Sequence, residues 1–394
     1  IKIGCDSIMK SLSTKATSIK PSGIRKFFDL ASTMEGVISL GVGEPDFATP
    51  WHICENAIHY MSTGHTHYTA NRGLLELREE ICKFHKEHYN QVYDPENEVI
   101  VTIGGSEAID LCMRALLNPG DEVIVLDPNY VAYAPSVILS DGVVVPLKLK
   151  EENDFKILPE DLKKVITPKT KAMIINYPSN PTGGVMTKED YAKIIDIIKE
   201  SGIYVISDEI YAELSFDQPF ASLAQFDEIK SQIIVVNGFS KAYAMTGWRL
   251  GYCMANKELS SVMNKIHQYV IMSAPVMSQY AGIEAIKNGY NDVLMMKEDY
   301  LKRRNFLVNR LNRMGLKTNM PHGTFYVFCN IQSTGLDSET FCERLLQEQK
   351  VACVPGNAFG DSGEGYVRIS YAYSIDHIKE AVVRLEQFLK DLDK

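Results

Sequence analysis

Several short stretches of this 394-residue chain place residue types that do chemistry in turns able to present them. Gly104-Gly105-Ser106 precedes an apolar stretch of helical period. A helix opening there would offer free N–H groups and its dipole to an anion. Taken alone, an ordinary glycine turn capped by Ser106 explains the same residues. Asp208 ends an apolar run and is followed by Glu209, Ile210 and Tyr211. A carboxylate there needs a partner, because an unpaired buried charge is costly. It could cap a loop, bind a metal or hold a protonated ring nitrogen. Lys241 lies in Gly238-Phe239-Ser240-Lys241, with Thr246-Gly247-Trp248-Arg249 shortly after. A lysine in such a turn could form an imine, although most lysines are solvated surface groups. Ser240 and Arg249 could contact a phosphate. Asp127-Pro128-Asn129-Tyr130 offers an aromatic face, and Pro178-Ser179-Asn180-Pro181-Thr182-Gly183-Gly184 offers an amide.

A set of short strands must position these groups. Runs rich in Val, Ile and Tyr occur at 98–103, 122–126, 143–149, 171–177, 204–208, 232–237 and 250–254. Several are apolar throughout, which fits strands buried on both faces of a largely parallel sheet. Helical patterns lie between them. One spans 106–117, with Ala108, Ile109, Leu111, Cys112, Ala115 and Leu116 on one face and Asn118-Pro119-Gly120 as its stop. Another spans 187–200, with Thr187 as cap and Tyr191, Ile194, Ile195 and Ile198 facing inward. Strand and helix alternate, so the class is α/β. After residue 290 the pattern changes. A long charged helix runs through Arg313, followed by strand-like 324–329, helix-like 338–349, strand-like 366–371 and a terminal amphipathic helix over 375–392. The expected division is a large domain at 46–290 and a smaller α+β domain built from 1–45 and 291–394.

In open α/β sheets, ligands sit beyond the carboxyl ends of the strands. The stretches named above follow strands, so they share one rim. Their combination is more specific than any member. A pyridoxal site needs a lysine for the imine, an acid to keep the ring nitrogen protonated, donors near the ring oxygen, an aromatic lid and a phosphate cup. Every requirement has a candidate on that rim.

Ser179-Asn180-Pro181-Thr182-Gly183, Ser207-Asp208-Glu209-Ile210-Tyr211 and the run from Ser240 to Gly251, of pattern S-K-x-x-x-M-x-G-x-R-x-G, resemble the class I/II aminotransferases of pyridoxal-enzyme fold type I. So do Gly41-Val42-Gly43-Glu44-Pro45-Asp46-Phe47, Tyr68 before Gly73, Leu77-Arg78-Glu79 and Val367-Arg368-Ile369-Ser370. The resemblance covers nearly the whole chain and is nearest to the aspartate and aromatic subgroup. It implies a seven-stranded, mainly parallel sheet with a smaller α+β domain. It implies pyridoxal 5′-phosphate, joined to Lys241 as a Schiff base, with Lys241 also moving the substrate proton. Asp208 would pair with the ring nitrogen, Asn180 and Tyr211 with the ring oxygen, and Tyr130 would stack on the ring. Gly105, Ser106, Ser240 and Arg249 would hold the phosphate. Tyr68 would reach the phosphate of a second subunit, which implies a homodimer with shared sites. Glu107, beside the cup, would have to point away. Arg368 would clamp the substrate α-carboxylate, and Gly43 would let backbone approach it. From alternation alone, Arg368 faces opposite to Val367 and Ile369, as it would on a solvated strand face. The match also implies a cis Asn180-Pro181 bond and a ping-pong exchange between an amino acid and a 2-oxo acid.

Composition narrows the alternatives. The net charge of −9 argues against a nucleic-acid partner. Cys5, Cys54, Cys82, Cys112, Cys253, Cys329, Cys342 and Cys353 form no C-x-x-C pair and no metal-ligand spacing, and read as reduced thiols of a cytoplasmic protein. No signal-peptide pattern opens the sequence and no apolar run reaches membrane-spanning length. No G-x-G-x-x-G turn follows a strand, which disfavours a nucleotide-dependent oxidoreductase. A pyridoxal C–S β-lyase on the same fold is the alternative enzyme, and a non-catalytic regulatory homologue the alternative class. The distal substrate pocket has Ile24, Arg25 and Lys26 as candidates. A cation there would read a second carboxylate, and Ile24 would suit an apolar or aromatic side chain. Aspartate or glutamate is preferred slightly over aromatic substrates.

Overall fold

The computed structural model describes residues 10–19 and 33–392. Cys5 and the candidates Ile24, Arg25 and Lys26 lie outside the described residues. Past a two-residue strand, β1 (Ile38–Ser39), the chain builds a seven-stranded sheet. Its members are β2 (Val99–Thr102), β3 (Glu122–Asp127), β4 (Val143–Lys148), β5 (Thr170–Asn176), β6 (Tyr204–Asp208), β7 (Ile233–Gly238) and β8 (Gly251–Met254). The order is β2-β8-β7-β6-β5-β3-β4. Strand β8 is antiparallel to both neighbours, and the other pairs are parallel.

The unbroken apolar runs are explained by cover on both sides. Val123, Val125, Ile174, Ile206, Ile234 and Val236 face one layer, with the helices Gly104–Leu116 and Lys257–Val270. Ile124, Leu126, Met173, Ile175, Val205 and Val235 face the other, with Trp51–Ser62, Leu75–Tyr89 and Val276–Asn288. Strand β4 sits at the sheet edge, so Val143 is exposed although its run looks as apolar as the rest. The single helix expected over 187–200 is two helices, Lys188–Ala192 and Ile195–Ser201. The apolar period runs through the break because Tyr191, Ile194, Ile195 and Ile198 are buried on both sides of it. Thr187 caps the first helix as expected, in a capping box with Asp190.

A second core lies in the remaining elements. Strands β9 (Tyr326–Asn330), β11 (Val354–Pro355) and β12 (Tyr366–Ser370) form an antiparallel sheet of order β11-β12-β9. Phe341 and Leu345 of Ser338–Gln349 and Val382 and Phe388 of Ile375–Leu392 pack with it. Strand β1 pairs parallel with β10 (Val351–Ala352), and Leu40 accepts the Ser370 N–H, 2.7 Å. The helix Tyr290–Arg313 gives Val293 to the first core and Met296, Tyr300 and Leu307 to the second. No helix among the described residues is long and apolar enough to cross a membrane.

The start of β8 lies against the end of β2, and the packing there excludes a side chain. A Cβ on Gly251 would stand 2.5 Å from the carbonyl carbon of Gly104 and 2.7 Å from the Gly105 nitrogen. Gly251→Ala is expected to cost about 1–3 kcal/mol, because backbone rather than a flexible side chain must move. Urea unfolding of the variant measures this, and an unchanged midpoint would contradict the packing.

Candidate active site

The carboxyl ends of the parallel strands open on a cavity of about 480 Å³. Its walls include Gly43, Gly105, Ser106, Tyr130, Asn180, Asp208, Tyr211, Ser240, Lys241, Arg249 and Arg368. Tyr68 is not among them and is 85% exposed.

Lys241 follows β7, and its Nζ donates to the carbonyl of Gly43, 2.7 Å. Burial first, then Arg368 and Arg249, bring its pKa down to about 8, against the opposing pull of Glu44 and Asp208. A lysine in that range is neutral often enough near physiological pH to serve as nucleophile and base. Asp208 closes β6. Its Oδ2 accepts the Tyr133 hydroxyl, 2.7 Å, and its Oδ1 accepts the Ile210 N–H, 3.1 Å. Burial nonetheless pushes its pKa up to about 6. Asn176 links the neighbouring turns. Its Nδ2 donates to the Asp208 carbonyl, 2.9 Å, and its Oδ1 accepts the Asn180 N–H, 3.0 Å. The Asn180-Pro181 bond is cis, as expected. The Tyr211 and Tyr326 hydroxyls share a hydrogen bond of 3.0 Å.

Arg368 departs from the solvated face that alternation suggests. It is 3% exposed, on the central strand of its sheet, and the face it shares turns to the cavity rather than to water. Nη1 donates to Asn180 Oδ1, 2.8 Å, and Nη2 to the Gly41 carbonyl, 2.6 Å. The guanidinium stands 4.3 Å from the Tyr326 ring centroid and 4.8 Å from that of Phe359. Its Nε is buried and has no hydrogen-bond partner among the described residues.

At the other end, Arg249 lies over the first turn of Gly104–Leu116. A Cβ on Gly104, whose φ is +67°, would meet Arg249 Nη2 at 2.7 Å. Ser106 and Arg249 are exposed, so this end of the cavity is open. Glu107 points away from it, with Oε1 2.6 Å from His267 Nδ1 and Oε2 accepting the Ile103 N–H, 2.6 Å.

Tyr133, Asn176, Tyr326 and Phe359 were not singled out from the sequence. Tyr133 lies three residues past Tyr130 in the same turn, which is a usable signal. Asn176 ends β5 as Asp208 ends β6. Tyr326 and Phe359 carry no local signal, because Tyr326 reaches the site from the smaller sheet and Phe359 from the short helix Gly356–Phe359 after β11.

The sequence profile of "Aminotransferase class I and II" matches residues 35–385. A putative aminotransferase, YugH, of Bacillus subtilis is 50% identical over 96% of this chain and 98% of its own length. The aspartate aminotransferase of Pyrococcus abyssi is 44% identical over 97% and 99%. The solved aromatic aminotransferase of Pyrococcus horikoshii superposes with a TM-score of 0.89 at 43% identity, covering 93% of this chain and 99% of that one.

The chain belongs to the class I and II aminotransferases. It is a transaminase, with the fold-type-I architecture of its relatives. Such aminotransferases depend on pyridoxal 5′-phosphate, and two observations show that the cavity fits this group. Arg249 stands against the positive end of a helix, and no carboxylate among the described residues is ion-paired with it. Two positive features facing each other suit a doubly charged phosphate. Asp208 is a buried carboxylate with a raised pKa, which suits a cationic ring nitrogen.

An acid whose pKa rises on folding opposes folding wherever its carboxylate form prevails. For Asp208 that penalty is full above about pH 6 and gone below the ordinary value of 3.8. Asp208→Asn is therefore expected to raise the thermal midpoint of the cofactor-free transaminase at pH 8. The gain should shrink as pH falls through 6. A difference that does not change with pH would show that the carboxylate is not strained there.

Proposed function

We propose that this transaminase exchanges the amino group of acidic or aromatic L-amino acids with 2-oxo acids, and that Lys241 is its central residue. The observation that carries this reading is the meeting of Lys241, Asp208 and Arg368 in one cavity. When bound, pyridoxal phosphate supplies an aldehyde carbon for the amino group and a protonated ring that draws electrons from the substrate Cα. The chain's own residues do the rest. Lys241 holds the cofactor, then takes the proton from the substrate Cα with its neutral Nζ. Asp208 keeps the ring nitrogen protonated, and Tyr133 holds the Asp208 carboxylate in place. Asn180 and Tyr211 would hold the ring oxygen, and Tyr130 would offer its ring face. Gly105, Ser106, Ser240 and Arg249 take the phosphate. In this reading residues 46–290 carry the cofactor, while 1–45 and 291–394 carry the carboxylate clamp.

Arg368 binds the α-carboxylate of amino acid and oxo acid alike. Among the described residues nothing bonds its Nε, and with the two rings beneath it one edge of the guanidinium is available for a bidentate pair. A Cβ on Gly43 would overlap the Tyr326 hydroxyl, so glycine keeps this approach narrow and backbone-lined. Val42, Ile109, Ile210 and Tyr326 give the described wall an apolar and aromatic character, which suits an aromatic side chain. An acidic side chain would need a further cation, for which Arg25 and Lys26 are the candidates.

The working form in this reading is a cytoplasmic homodimer. Tyr68 is exposed, as are Tyr269 and Val270 at the end of the helix whose following residue Met272 bonds Asn71, and the phosphate end of the cavity is open. A second copy covering this face would bring the partner's Tyr68 to that open end. The described cysteines are free thiols, which suits a reducing compartment.

A panel of amino acids with the loaded enzyme, monitored for 2-oxo acid release and for change in cofactor absorbance, tests the reading. Aspartate, glutamate or an aromatic amino acid should give stoichiometric oxo acid, and Lys241→Ala should give none. Elimination products in place of the matching oxo acid would favour the lyase. Arg368→Lys should raise KM for both substrates by about tenfold or more, because a point charge replaces a fork. An unchanged KM would remove Arg368 from the α-carboxylate.

A further inference from the structure

Glu107 leaves the anion-binding turn and enters a chain of bonds that ends on the Tyr68 segment. Its Oε2 takes the N–H of Ile103, the residue that leads into Gly104–Leu116. Its Oε1 lies 2.6 Å from Nδ1 of His267, a fully buried ring. The other ring nitrogen, Nε2, lies 2.8 Å from the carbonyl oxygen of Asn71. A carbonyl only accepts, so Nε2 carries a proton. A second proton lies between Nδ1 and the Glu107 carboxyl. The ring is therefore a strut bonded at both ends.

The far end of that strut is pinned from several directions. The His267 carbonyl accepts the N–H groups of Ile271 and Met272, and the Met272 carbonyl accepts Asn71 Nδ2, 2.8 Å. Gln279 accepts the Leu74 N–H, 2.7 Å, and donates to Thr69 Oγ1, 3.2 Å. The Arg72 carbonyl accepts the Val101 N–H from β2, 3.0 Å. Residues 69–74 are thus fixed to the large sheet and its helices, while Tyr68 immediately before them is exposed. His85 offers a contrast. It is equally buried, but it joins Gln91 and Tyr252, and neither lines the cavity.

We propose that His267 is a positioning residue that couples the two phosphate ends of the dimer. Through Glu107 it sets the first turn of its own subunit's anion-binding helix. Through Asn71 it sets the segment that presents Tyr68 to the partner. The second half rests on the reading that Tyr68 crosses to a second copy.

The test compares affinity for pyridoxal phosphate with affinity for pyridoxal, which lacks the phosphate, by titration of the cofactor-free dimer. His267→Leu and Glu107→Ala should each weaken pyridoxal phosphate by about tenfold and leave pyridoxal within about twofold. Glu107 is partly exposed, so its variant carries the test if the buried substitution does not fold. Glu107→Gln can accept from Ile103 and donate to a neutral His267 ring, so it should keep pyridoxal phosphate affinity within about twofold. In a Tyr68→Phe background, His267→Leu should weaken pyridoxal phosphate by less than it does alone. Equal loss of both ligands, or no loss, overturns the proposal and leaves a core histidine. Glu107→Gln as harmful as Glu107→Ala overturns it in favour of bare charge. Full additivity with Tyr68→Phe overturns the coupling while the shared site stands. Tyr68→Phe without effect overturns the shared site and the cross-subunit half together.

Discussion

Lys241, Arg249 and Arg368 face one cavity in which, among the described residues, Asp208 is the single carboxylate of the lining. That imbalance of charge governs the rest of the site. It depresses the Lys241 pKa to about 8, with burial as the larger cause. It would be costly to fold without groups that separate and cover the cations. The Gly43 carbonyl takes Lys241, and Asn180 with the Gly41 carbonyl takes Arg368 over two aromatic faces. Arg249 remains at the exposed end, over a helix start. The arrangement is complete only with anions, and a cofactor phosphate and a substrate carboxylate are the anions that transamination brings.

The large sheet makes this possible by ending its parallel strands together. Strands β5, β6 and β7 are neighbours, so Asn176, Asp208 and the Lys241 turn leave the sheet side by side. The antiparallel β8 fits between β7 and β2, and its glycine start allows the Gly104-Gly105 turn to lie against it. The smaller sheet adds what the large one lacks. Arg368 and Tyr326 arrive from there and meet the groups at the strand ends of the large sheet in one cavity.

The sequence revealed what is encoded locally. Apolar runs marked the buried strands: Asp208 closes one, Lys241 and Asn180 follow others within a few residues, and Arg249 stands just before β8. Long-range placement was not legible. Arg368 looks solvated by alternation, and its burial depends on which strands flank β12. Tyr326 meets Tyr211 across 115 positions, and His267 meets Glu107 across 160. The break after Ala192 was hidden because its flanking residues keep a helical period. The edge position of β4 was hidden for a similar reason, since Val143 is as apolar as a central residue.

The central claim is that Lys241, and no other lysine, bonds the cofactor. Borohydride reduction of the loaded enzyme, followed by digestion and mass spectrometry, measures this directly. The phosphopyridoxyl mass should fall on the peptide containing Lys241, at one label per chain. A label on another lysine, or a loaded enzyme that takes up none, would contradict it.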